Sequence, residues 1–269
     1  MIRVLVTGFG PFPGVPENPT AGLVAEWRAR PPRLAPGVHL TLATIETAYE
    51  AIGPALRALA PEGPFDAALH FGVSGFASGF TIERRARNVA LTGRPDARGH
   101  WPEQGVLKRG AADRPTRLPV ERLVGALRRA RVPVEVSDDA GGYLCNALFF
   151  TAVAGLVPGY APPLAGFVHV PPVTGLSGPD EPGLISREVY LRGAGIVLAE
   201  VIDASRSGTS VMTKGTVTAS NVASAKASRH ASMATTPATW SRRSSRTLSD
   251  AFFSIATERS EAITSVPAG

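Results

Sequence analysis

The first 205 residues alternate short runs of β-branched and other apolar residues with stretches whose apolar side chains recur every three or four positions. That alternation restricts the chain to the α/β class, with a mostly parallel sheet whose strands are connected through helices. Strands are expected at residues 3–7, 39–45, 67–71, 134–137 and 164–170, and helices at 21–28, 46–59, 120–129, 146–157 and 184–202. Residues 92–117 are rich in Gly, Pro and Arg, show no period, and read as a long connection of the functional or mobile sort.

Beyond residue 205 the composition changes abruptly to Ser, Thr, Ala and Arg. Residues 206–269 carry too few large apolar side chains to offset the entropy of ordering them, so the expected organisation is one domain, 1–205, and a disordered tail. Within the tail only SDAFFSIATE, residues 249–258, has the pattern of a short marginal helix. The formal charge of +6 is also uneven: residues 1–205 hold 20 Lys plus Arg against 19 Asp plus Glu, and 206–269 hold 8 against 3. The body is therefore close to neutral, no folded basic stripe is implied, and no nucleic-acid partner is expected. No run approaches the roughly 18 apolar residues of a membrane span, so no membrane partner is expected either.

The N-terminal MIRVLVTGFG enters a strand pattern directly, without the basic segment, apolar stretch and small-residue cleavage site of a secretory signal. The single cysteine excludes an intrachain disulfide. Both features lead to the expectation of a cytoplasmic protein stabilised by packing alone.

That cysteine, Cys145, lies in DDAGGYLCNALFF, residues 138–150, where a glycine turn passes into an apolar helix. In a helix's first turn the unpaired backbone N–H groups and the positive end of the dipole favour a thiolate, so its pKa is expected to be depressed; the same groups can hold an oxyanion. Most free cysteines are small core residues, and the bare sequence leaves that alternative open. A thiolate needs a base. Of five histidines, His169 stands at the end of a strand that Pro171 and Pro172 stop, which puts it at the carboxyl edge expected to carry Cys145. His70 also ends a strand and competes with it; His39 begins one, His100 is in the irregular connection and His230 in the tail. Glu83, in GFTIERRARN, is a candidate for orienting the imidazole, with a solvated pairing to Arg84 or Arg87 as the other reading.

The stretch TGFGPFPG begins like a dinucleotide loop, but Pro11 and Pro13 remove N–H groups that a pyrophosphate would need, and the third glycine comes one place late, at Gly14. It presents instead Phe9 and Phe12, three apart, as walls of a small flat pocket or as core residues.

Taken together, these segments resemble the pyroglutamyl peptidase I family of cysteine peptidases. VLVTGFGPFPGVPENPT (4–20), GVSGFASGFTIERRARN (72–88), AGGYLCNALFF (140–150) and GFVHVPP (166–172) are similar, in order, to that family's motifs. The resemblance covers about residues 1–203. It implies an α/β/α sandwich, a catalytic set of Cys145, His169 and Glu83, and Phe9 and Phe12 beside a pyrrolidone ring. It also implies N-terminally pyroglutamylated peptides as substrates, no metal or organic cofactor, and a homo-oligomer. Arg94 matches the family's arginine near the oxyanion with a one-residue slip. The family's GQAGGR segment has Gln and Arg where this chain has Val73 and Ala77. If Val73 lines the pocket, a lost hydrogen bond there costs about 1–3 kcal/mol of discrimination, so the alternatives are a cysteine hydrolase of another small acyl or lactam substrate, or a catalytically weak binding relative.

Overall fold

A computed structural model describes residues 1–12, 14–90, 95–102, 105–177 and 184–208. The expected tail thus lies, from residue 209 on, outside the described residues, as does SDAFFSIATE.

Strand β1 (Ile2–Phe9) is buried from Val4 onward, as a central strand covered on both faces must be. It pairs in parallel with β2 (Val38–Ile45), Ile2 beside Val38, and with β3 (Ala67–Val73), Val4 beside Ala67. β8 (Leu164–Val170) adds to β3 in parallel, with Gly72 beside His169. Two further strands complete the sheet, β4 (Phe80–Glu83) and β7 (Val134–Ser137), giving the order β2-β1-β3-β8-β4-β7.

β4 is not one of the five expected strands, although the residues leading into Glu83 have strand character, and it changes the topology. Only residues 74–79 separate it from β3, whereas a parallel return needs a crossover of about a dozen residues. The chain must therefore reverse. β4 runs antiparallel to β8, with Thr81 opposite His169, and β7 pairs in parallel with β4. Because β8 lies between β3 and β4, the 74–79 link arches over the carboxyl end of β8, where Ser74 N–H donates to Val170 O at 2.9 Å.

The two faces of the sheet separate the core by residue parity. Val4, Val6, Leu69, Phe71, Phe80, Ile82 and Val168 meet α1 (Pro19–Ala29), α3 (Val120–Arg129) and α5 (Arg187–Arg206). Leu5, Phe9, Ala68, Ala165 and Phe167 meet α2 (Tyr49–Leu59) and α4 (Leu144–Val153). The expected three-layer α/β/α sandwich is the observed one. A small antiparallel ribbon, β5 (Arg85–Ala86) with β6 (Arg114–Pro115), packs beside α4 and places a strand inside the connection read from sequence as irregular.

The N-terminal motif is explained by capping. Asn18 accepts from Thr20 N–H at 3.0 Å at the start of α1 and donates to Gly10 O at 3.1 Å, while the Thr20 hydroxyl accepts from Phe9 N–H at 2.9 Å. Helix and strand end approach so closely that a Cβ on Gly8 would lie 2.2 Å from Thr20 O.

Candidate active site

α4 starts two residues before the expected position, so Cys145 is its second residue, inside the first turn. Ahead of it, Asp139 builds the turn: its carboxylate accepts from Gly141 N–H at 3.0 Å and from Arg87 at 2.6 Å, and Asp138 pairs with Arg84. Gly141 has φ +78°, a conformation that favours glycine. Next to Cys145, the wholly buried Asn146 accepts from Arg87 N–H at 2.8 Å and donates to Arg87 O and Val89 O at 2.8 and 3.0 Å. The segment after β5 is thereby tied to the first turn of α4.

The route that brings Cys145 here is not the one the sequence implied. A parallel β7 would deliver it from the carboxyl edge, but β7 runs against β8 and its last residue, Ser137, pairs with Glu83, two positions down β4 from the Thr81–His169 level. The turn after β7 carries the chain back to β3. There the sulfur lies over Gly72, where a Cβ would stand 2.8 Å from Sγ and 2.6 Å from the Phe167 ring. Gly72 is thus the floor that lets the sulfur approach the sheet. An isolated glycine inside the strand pattern HFGV was the available signal for it.

His169 is level with Gly72 on the adjacent strand, and parity puts both on the α4 face. Its Nδ1 is 2.7 Å from Glu83 Oε1. A carboxylate only accepts, so Nδ1 carries the proton and Nε2 is left to the sulfur. Burial by itself would lower the His169 pKa; attraction and hydrogen bonding to Cys145, with those to Glu83, outweigh it and push the value up to about 10. The resting arrangement is therefore a protonated imidazole between sulfur and carboxylate. Glu83 does not have the solvated arginine pairing weighed from sequence: it is 2% exposed, and its Oε2 has no hydrogen-bond partner.

The competing histidine has a different role. His70 is fully buried, held between the Thr7 hydroxyl (2.7 Å from Nδ1) and the Tyr160 hydroxyl (3.1 Å from Nε2), and burial pushes its pKa down to about 3. It stays neutral and structural. His39 is exposed near the start of β2, and His100 approaches Glu50 at 3.8 Å in the 95–102 segment.

Phe9 is buried against Phe167, ring centroids 6.5 Å apart, so it offers a ligand a floor rather than a free wall; Phe12 is half-buried and bridges Val15. Val73, half-buried, ends β3 beside Val170, and Ala77 is buried where its N–H closes a turn onto Ser74 O at 3.2 Å. Arg94 lies outside the described residues. An open cleft of about 470 Å³ runs between α2, α4 and Ala90, Pro102, Val106 and Leu107, but Cys145, His169 and Glu83 are not among its walls. Among the described residues there is no cluster of three metal-ligating side chains, and no helix is long and apolar enough to cross a membrane.

Comparison with known proteins extends this geometry. The family model described as pyroglutamyl peptidase matches residues 2–197. This chain belongs to the pyroglutamyl peptidase family. Its relatives include the pyrrolidone-carboxylate peptidases of Thermococcus onnurineus, 34% identical over 171 residues (63% of this chain, 84% of that protein), and of Yersinia pestis, 31% identical over 194 residues (71% and 89%). Among solved structures, pyrrolidone carboxyl peptidase from Thermus thermophilus superposes with a TM-score of 0.64 at 33% identity, covering 73% of this chain and 99% of that one. The Thermococcus litoralis enzyme, with a TM-score of 0.69 and 24% identity over 80% and 100%, bears on the fold. In this chain Val73 closes β3, Ala77 lies in the 74–79 arch that follows, and Phe76 of that arch is 70% exposed.

Proposed function

We propose that this protein is a cysteine-type pyroglutamyl peptidase, hydrolysing the amide that links an N-terminal pyroglutamyl residue to the rest of a peptide. One observation carries the reading: His169 interacts with both Cys145 and Glu83, the latter at 2.7 Å, in a chain whose sequence matches that family. The Cys145 sulfur attacks the pyroglutamyl carbonyl carbon. The first-turn N–H groups of α4 take up the developing oxyanion, and by the family's pattern Arg94 adds a cation there. His169 Nε2–H protonates the departing amine, leaving an acyl-enzyme; the neutral imidazole then takes a proton from water as its oxygen attacks the thioester and frees pyroglutamate. Glu83 holds the imidazole in the tautomer both steps need. Phe9 and Phe12 lie beside the ring, and Val73 takes the place of a polar contact. No metal or organic cofactor enters, because sulfur and imidazole supply the nucleophile and the proton.

The protein is placed in the cytoplasm, where a lone functional thiol stays reduced. A homo-oligomer is the proposed state, to which the exposed Trp101 and Val106 give apolar surface.

The test is release of a chromogenic amine from pyroglutamyl, prolyl and alanyl amides, with Cys145→Ser as control. Turnover confined to the pyroglutamyl amide and abolished in the variant is the expected result. Turnover of the other amides instead favours a cysteine hydrolase of another small acyl or lactam group, the reading that Val73 motivates. No turnover at all identifies a binding relative.

A further inference from the structure

Sheet order sets the two sides of the sulfur. Cys145 lies over Gly72 of β3; Phe9 ends β1 on one side of that strand, and His169 stands on β8 on the other. His169 must hand its proton to the leaving nitrogen, so the leaving peptide lies on the β8 side, away from Phe9. That side is overhung by the 74–79 arch. The arch is held to β8 by Ser74 N–H on Val170 O and folded by the turn from Ser74 to Ala77, which leaves Phe76 at its tip, 70% exposed. On the same strand end Leu184 N–H donates to Pro172 O at 2.9 Å, and the Leu184 side chain is 61% exposed. Two large apolar side chains thus stand in water around one strand end, where polar residues would cost nothing.

We infer that Phe76, with Leu184, forms the subsite for the side chain of the residue that follows pyroglutamate, and that it selects apolar and aromatic residues there. The inference rests on the pyroglutamyl peptidase reading and adds the downstream half of the substrate. A ring exposed on this arch gains contact only when an apolar side chain covers it, and it desolvates a charged one without a partner. The preference is therefore positive for Phe and Leu and negative for Asp.

The experiment measures kcat/KM for pyroglutamyl-Phe, -Leu, -Gly and -Asp amides with the full chain, Phe76→Ser and Phe76→Leu. The expected Phe-to-Gly ratio is about 10 in the unaltered protein, the size of a modest apolar pocket contact, near unity in Phe76→Ser, and retained in Phe76→Leu. Because the ratio is taken within one protein, a general loss of activity does not move it. A ratio near unity in the unaltered protein, or one that Phe76→Ser leaves intact, overturns the inference while pyroglutamyl cleavage stands. Absence of pyroglutamyl turnover in all three proteins overturns the parent reading and this inference with it.

Discussion

Gly72 and Cys145 approach so closely that a single methyl group on the glycine would come within 2.8 Å of the sulfur. The sulfur is therefore positioned from below by the absence of a side chain and held by a helix turn that Asn146 anchors.

Gly72→Ala tests the floor. The added methyl meets the Phe167 ring and the sulfur at sub-contact distances, so either the ring or α4 must shift. Overpacking of this kind costs about 1–3 kcal/mol of stability. Displacing the sulfur relative to His169 lowers kcat by about 100-fold with less effect on KM, measurable by steady-state kinetics beside a urea titration.

Asn146→Ala tests the anchor. It leaves Arg87 N–H, Arg87 O and Val89 O without their partner, at about 1–3 kcal/mol for each group that water does not reach. The expected result is a clear drop in the denaturant midpoint together with slower alkylation of Cys145.

Glu83→Gln alters the proton chemistry. It removes two of the influences that raise His169, so the imidazole becomes easier to deprotonate. The alkaline limb of kcat/KM moves to lower pH, and the rate at pH 7 falls by about 10²–10⁴-fold as the imidazole loses its fixed tautomer and orientation. A pH–rate profile of both proteins checks it.

His70 makes the fold acid-sensitive. Its pKa is near 3 in the folded state, against an ordinary value of 6.5, so the unfolded chain binds the extra proton between those limits. The contribution is fully present above pH 6.5 and is lost as the pH falls through about 3, reaching about 2 kcal/mol at pH 5. In His70→Gln this loss is absent, and urea midpoints at pH 7.5 and 5 differ less than in the unaltered protein.

What the sequence disclosed was local. α3 spans residues 120–129 as expected, and Cys145 was placed in a first helical turn because GGY followed by an apolar run is a local signal. His169 was favoured by Pro171 and Pro172, again neighbours. What stayed hidden was set by distant partners. FTIE is four residues long and declares itself a strand only between β8 and β7, and the direction of β7 follows from that insertion. The same holds for Asn146 and Gly72, whose roles exist only once residues 87–89 and the sulfur are brought to them. His70 and His169 both end strand patterns, and only the surroundings, two hydroxyls in one case and a carboxylate with a sulfur in the other, separate them.

The most direct measurement is the rate at which iodoacetamide alkylates Cys145 at pH 6, where an ordinary thiol is almost wholly protonated, in the unaltered protein and in His169→Ala, with and without pyroglutamamide. Alkylation at least about tenfold faster in the unaltered protein, and slowed by pyroglutamamide, is the expected result. Equal rates in the two proteins, or no protection by the pyrrolidone ring, would contradict it.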